Sequence, residues 1–198
     1  MKKQLEQSLT EQALESLRHD IVYNVFQPKS KLTIDLLKTR YTMGGTPIRE
    51  ALNQLVSEKW VEALPLRGFR VLPVSYNEAL DLLRTIKLLE NDLLQESLMK
   101  ADDMWESEVI AAYYRFQKSI TKDQPSDYHL WYQRWYEFLM TIIDLSESMW
   151  LKRWYKNSLL HLIHYQCVIG DLLNEPKEGP LFTINDYQSL QQCIVDKD

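Results

Sequence analysis

Arg49 and Asn53 stand four residues apart in the run Thr46-Pro47-Ile48-Arg49-Glu50-Ala51-Leu52-Asn53-Gln54-Leu55-Val56. On a helix that spacing puts a guanidinium and a carboxamide on one face. A guanidinium bonds bidentately to the guanine edge, and a carboxamide to the adenine edge, in the major groove of duplex DNA. Thr46 offers a hydroxyl, and Arg40 a second guanidinium, for phosphate oxygens that set register rather than sequence. Arg67 and Gly68, with Arg70 just beyond, put basic side chains at a tight turn where they can reach the minor groove or the backbone.

The elements that must position these groups are legible around them. Thr46 reads as an N-cap and Pro47 as the first helical residue, where a missing N–H costs nothing. Ile48, Leu52, Leu55 and Val56 fall at i, i+4, i+7 and i+8, one apolar stripe opposite the arginine face. Upstream, residues 32–41 read as a shorter helix capped by Thr33, with Ile34, Leu37 and Tyr41 inward. The turn Met43-Gly44-Gly45 separates the two, its glycines supplying left-handed backbone. A longer amphipathic pattern over 11–26 carries Leu14, Leu17, Ile21, Val22 and Val25. Downstream, Trp60–Leu64 and Gly68–Leu72 are short extended runs joined by Pro65-Leu66-Arg67-Gly68, a hairpin. Three helices and a basic-tipped hairpin make a winged helix-turn-helix.

The strings Thr-Pro-Ile-Arg-Glu-Ala-Leu-Asn-Gln-Leu and Trp-Val-Glu-Ala-Leu-Pro-Leu-Arg-Gly-Phe-Arg-Val closely resemble the DNA-binding domain of GntR-type bacterial transcription regulators. The clear match spans roughly residues 12–74. A winged helix ahead of an all-helical domain resembles the FadR-like branch, whose effector domains carry the FCD name. The resemblance implies double-stranded DNA as partner, with Arg49, Thr46, Arg40, Arg67, Gly68, Asn53 and Arg70 as the contact set. Many relatives carry arginine or serine just before the Thr-Pro. Here Gly44-Gly45 stands there, which leaves more of the reading to Arg49. One short recognition helix reads few bases, so a homodimer on a palindromic operator is expected.

Composition bounds the alternatives. The 198 residues, 45% hydrophobic, can bury proper cores. The net charge of −5 is unevenly divided: residues 1–74 hold eleven Lys/Arg against eight Asp/Glu, and the remainder twelve against twenty. Local positive charge is what phosphates meet, so the N-terminal part carries any DNA affinity. No apolar run has the length of a membrane span or of a signal-peptide core. Cys167 and Cys193 lack metal spacing and read as small apolar residues of a reduced, cytoplasmic protein. No HExxH, phosphate loop, CxxC or nucleophile elbow suggests an enzyme. Asp102-Asp103 reads as helix-start charge rather than an acid/base pair.

The fold class expected is mainly α. A winged helix-turn-helix with a small β-hairpin occupies 1–74, and an all-α effector and dimerisation bundle occupies 75–198, short at its C-terminus. Ser75 and Glu78 read as a capping box for a helix running to about Lys100. Helical patterns follow over 103–121, 127–144, 147–170 and 184–196, with no strand beyond the wing. In FadR-like relatives the bundle holds a metal and a carboxylate effector. The resemblance aligns Trp135, Leu139 and Tyr187 with the family's ligands, and none of these suits such a site, so no metal or other cofactor is expected. His161 and His164, three apart, can share a metal. The preferred reading has one facing solvent and one packed beside aromatics. Trp131, Tyr132, Trp135, Tyr136, Phe138, Trp150, Trp154, Tyr155 and Tyr165 read mostly as core. An effector pocket, if formed, draws on Arg134, Trp135, Phe138, His161 and Tyr187. The function expected is a repressor-type regulator tuned by a small-molecule effector. The alternative is a regulator with a degenerate sensor that answers to a protein partner or to its own abundance.

Overall fold

A computed structural model of the chain describes residues 8–121, 124–125 and 127–173. Helix α1 (Leu9–Val22) starts at a capping box: Glu11 N donates to Ser8 Oγ at 3.2 Å, and Ser8 N to the Glu11 carboxylate at 2.9 Å. It buries Ala13, Leu14, Leu17, Ile21 and Val22. The chain turns at Asn24 (φ 60°), so the helix stops short of residue 26 and Val25 lies 47% exposed, outside the stripe assigned to it.

Thr33 caps α2 (Ile34–Tyr41) as expected, accepting from Leu36 N at 3.3 Å. The turn that follows differs from the expectation. Thr42, not a glycine, takes the left-handed conformation (φ 53°), and Gly44 is extended at φ −66°. Gly44 is itself the N-cap of α3 (Gly45–Ser57) and makes no side-chain capping bond. Thr46 is therefore inside the first turn rather than at the cap, and Pro47 is one place further in. Both remain in the stretch where amides have no intrahelical partner, so the proline costs no hydrogen bond. Ile48, Ala51, Leu52 and Leu55 are fully buried. Each large aliphatic chain removed from water contributes about 1.5–3 kcal/mol, which holds α3 against α1 and α2.

Strands β2 (Val61–Leu64) and β3 (Gly68–Val71) form the hairpin, with Leu64 opposite Gly68 and Val61 opposite Val71. Sequence patterning misses a third strand, β1 (Lys31–Leu32), which pairs antiparallel with β3 to give the order β1-β3-β2. Two residues are too few to show alternation. Gly68 is required where it stands: its φ is +89°, and a Cβ there would lie 2.9 Å from the Leu32 carbonyl oxygen.

Among the described residues four long helices follow: α4 (Tyr76–Met99), α5 (Asp103–Lys118), α6 (Tyr128–Ile142) and α7 (Met149–Leu173). Asp102 caps α5, accepting from Trp105 N at 2.7 Å, and Asp127 caps α6 through His129 N and Leu130 N. Ser75 is the N-cap of α4 but makes no side-chain bond, so the capping box is not closed. Glu78 is drawn away by Tyr165, whose hydroxyl donates to it at 2.5 Å. Two short strands, β4 (Ile120–Thr121) and β5 (Gln124–Pro125), pair in the break between α5 and α6, where only a turn was expected. The helix expected over 184–196 lies outside the described residues.

The bundle core is aromatic. Phe116 stacks on Phe138 with centroids 6.1 Å apart, and Trp131 on Trp135 at 6.4 Å. Trp150 and Trp154 depart from the core reading, at 66% and 58% exposed. Glu96 on α4 secures the loop before α7, accepting from Ser146 Oγ at 2.6 Å and Glu147 N at 3.1 Å. These bonds, with one from Lys100, hold its carboxyl down at about 2.

Candidate nucleic-acid interface

Helix α3 and the wing enclose an open groove of about 660 Å³. Arg49 and Asn53 line it from α3, Arg67 and Gly68 from the hairpin, and Lys31 and Thr33 from β1 and the α2 cap. No carboxylate is among its lining residues. Arg49 and Arg67 are exposed, and neither side chain has a hydrogen-bond or ion-pair partner among the described residues. Three cations without internal counter-charges face one concavity bordered by a helix. That arrangement suits a polyanion with a groove of its own.

The wing tip owes its shape to backbone rather than side chains. Arg67 N donates to Leu64 O at 3.0 Å, and Leu66 (φ 59°) and Gly68 (φ 89°) both take left-handed conformations. This lifts Leu66 entirely into solvent, at 106% exposed, with Arg67 beside it.

Thr46 is exposed in the first turn of α3, although it is not the cap. Arg40 and Arg70 are committed elsewhere. Arg40 Nε donates to Asp20 at 2.8 Å, and its guanidinium lies 5.2 Å from the Phe26 ring centroid. Arg70 pairs with Glu62 directly across the hairpin, Nη2 to carboxylate 2.7 Å. Neither is a free cation as the sequence suggested. Lys31, missed by sequence reasoning, is exposed at the groove instead, because β1 brings it alongside the wing.

The residues expected to form an effector pocket do not come together. Trp135 and Phe138 are fully buried in the α5–α6 core, and Arg134 makes a surface ion pair with Glu137 at 2.7 Å. Tyr187 lies outside the described residues. Leu139, aligned with a family metal ligand, is buried and has no donor atom, as Trp135 has none suited to a metal. Among the described residues, no group of three His, Cys, Asp or Glu is placed to hold a metal ion.

His161 and His164 instead face the first half of the molecule, and neither is the solvent-facing residue expected. His161 stacks on Trp60, centroids 3.7 Å apart and planes within 4°, and its Nε2 lies 3.2 Å from the Glu58 carbonyl oxygen. His164 is 4% exposed and meets Trp60 edge-on at 5.9 Å. Burial lowers the pKa of both rings, that of His164 to about 4, so both are neutral near pH 7. Trp60 itself sits between α3 and β2: its N donates to Leu55 O at 2.9 Å and its carbonyl accepts from Leu72 N at 3.0 Å. The C-terminal end of α3 and the helical bundle therefore share one aromatic contact.

Residues 9–71 match the model of the gntR family of bacterial regulatory proteins. The chain is 33% identical over 162 residues to the HTH-type transcriptional regulator BphR of Paraburkholderia xenovorans, covering 80% of this chain and 66% of that one. It is 37% identical over 102 residues to the HTH-type transcriptional repressor GlaR of Escherichia coli, covering 52% and 46% respectively. This chain thus spans just under two thirds of the first relative's length and about half of the second's. In fold it is similar to E. coli McbR/YncC, with a TM-score of 0.82 at 21% identity over 97% of this chain and 88% of that one. A crystal structure of a GntR regulator from Rhodococcus sp. RHA1 is similar at a TM-score of 0.73 and 14% identity, over 96% and 88%. These likenesses extend the shared fold through the helical half.

Proposed function

This chain belongs to the GntR family of bacterial regulatory proteins, and from that premise we propose that it is a sequence-specific DNA-binding repressor. Residues 1–74 are its reader. Residues 75–198 are its dimerising and responding half, of the FadR-like kind. The observation that carries this reading is the carboxylate-free groove between α3 and the wing, with Lys31, Arg49 and Arg67 around it. Arg49 and Asn53 enter the major groove and read base edges, while Lys31, Thr46 and Arg67 hold phosphates. Two protomers place two such helices about 34 Å apart on a palindromic operator.

The buried Trp135 and Leu139 favour a responding half that has left metal–carboxylate sensing. It answers to another small molecule, to a protein partner or to its own abundance. Genomic footprinting with the wild type and Arg49→Ala tests the assignment. Arg49 is exposed, so the variant keeps its fold, and the expected outcome is loss of most specific sites. Equal occupancy of the same sites by both proteins would overturn it.

A further inference from the structure

Leu66 stands at the wing tip where turn chemistry asks for another residue. Arg67 N donates to Leu64 O at 3.0 Å, closing a turn with Pro65 second and Leu66 third. Leu66 takes φ 59°, and positive φ after proline is the place of glycine or asparagine. The other non-glycine residues with positive φ among the described residues, Asn24, Lys29, Thr42 and Lys59, all carry polar side chains. Leu66 is also 106% exposed, so no packing within the chain offsets its left-handed backbone. A large apolar side chain held in a costly conformation and turned wholly to solvent points to a contact made outside the chain.

The groove beside it indicates where that contact lies. Lys31, Arg49 and Arg67 surround a concavity of about 660 Å³ with no carboxylate in its lining, and Leu66 borders it from the hairpin. On the DNA-reading function proposed above, on which this inference rests, the concavity takes a sugar–phosphate backbone. A backbone strand is the ridge between a major groove and a minor groove. With α3 in the major groove on one side, the hairpin tip on the other side falls at the minor groove. That groove, about 6 Å wide, is too narrow for a helix but admits a leucine side chain.

We propose that Leu66 is a specificity-determining residue that enters the minor groove flanking the half-site and selects A·T pairs there. A·T pairs show only acceptors on that edge, whereas guanine adds an amino group that stands up from the floor. This group fills the space a branched side chain needs. It also finds no acceptor among the side chains of the tip, since leucine is apolar and Arg67 only donates. Minor-groove binders frequently insert apolar side chains, leucine among them, into that groove. The wing thus reads sequence at positions α3 does not reach, beyond the phosphate contact assigned to Arg67.

The test selects binding sites for the full-length protein from a pool of random duplex DNA. The wild type is expected to enrich a core read by α3 with an A·T-only flank beside it. Leu66→Asn, which suits the turn and leaves Arg67 in place, is expected to enrich the same core without the flank. Leu66→Met, still apolar, is expected to keep it. In the duplex selected by the wild type, 2,6-diaminopurine then replaces one adenine of the flank. It adds the minor-groove amino group and leaves the major-groove edge as it was. The wild type is expected to bind about tenfold more weakly, the usual cost of one wrong base pair, and Leu66→Asn to show no further loss. A wild-type core with no A·T flank, an unchanged flank for Leu66→Asn, or wild-type indifference to diaminopurine overturns the proposal, while the enriched core leaves the DNA-reading function standing. Should Leu66→Asn lose the core as well, the diaminopurine substitution decides on the wild type alone. A pool with no enriched sequence overturns the DNA-reading function itself, and this inference with it.

Discussion

Lys31 is where a single side chain tests the proposed DNA-reading role. It is exposed at the groove with Arg49 and Arg67, and no carboxylate lines that groove. Lys31→Ala is expected to weaken binding evenly across DNA sequences and to reduce the log–log salt slope by about 1, the mark of one lost phosphate contact. Titration of an operator fragment at several salt concentrations measures this, and an unchanged slope would show that Lys31 makes no phosphate contact. Arg49, Asn53 and Arg67 were legible in the sequence because local spacing settles which face or turn they occupy. Arg40 and Arg70 were not, because what decides them is a partner brought in by folding: Asp20, 20 residues away, and Glu62, 8 residues away. Residue type announces a charge, but only packing says whether that charge is already answered.

At the scale of elements the wing depends on one close approach. Gly68→Ala forces a side chain into left-handed backbone and against the Leu32 carbonyl, a β1 atom that cannot yield without breaking the three-stranded sheet. The expected loss is about 1–3 kcal/mol, read as a lower urea midpoint, together with weaker DNA binding. A midpoint equal to the wild type would mean that the hairpin relaxes freely. Most helices were legible, since Thr33, Asp102 and Asp127 sit at their caps and the apolar periods run between them. The errors lie at helix starts. Thr46 looks the better cap, yet Gly44 takes the role once the backbone has turned at Thr42. Ser75 and Glu78 have capping-box spacing, yet Tyr165 from α7 claims the glutamate. Local backbone geometry decides the first case and a tertiary partner the second.

The whole molecule should be acid-sensitive in two stages. The buried His164 ring protonates only near pH 4, below its ordinary 6.5, so the unfolded chain takes that proton first and stability falls as pH drops from about 6.5 to 4. Glu96, depressed to about 2 from an ordinary 4.5, contributes stability that is complete above pH 4.5 and is lost as pH falls towards 2. Urea midpoints measured from pH 7 to pH 3 should decline throughout. A flat profile between pH 7 and 4 would show that the seam admits a charged histidine without cost. The Trp60 contact also bears on how such proteins diversify. Reader and responder are often treated as exchangeable modules, but here the plug (one indole) and its socket (two imidazoles on α7) belong to different halves. A chimera that gives this reader a relative's helical half keeps the plug and inherits a foreign socket. Positions 60, 161 and 164 therefore form a compatibility code, and choosing donors that match at those three sites is a rational first filter for building new sensors on this scaffold.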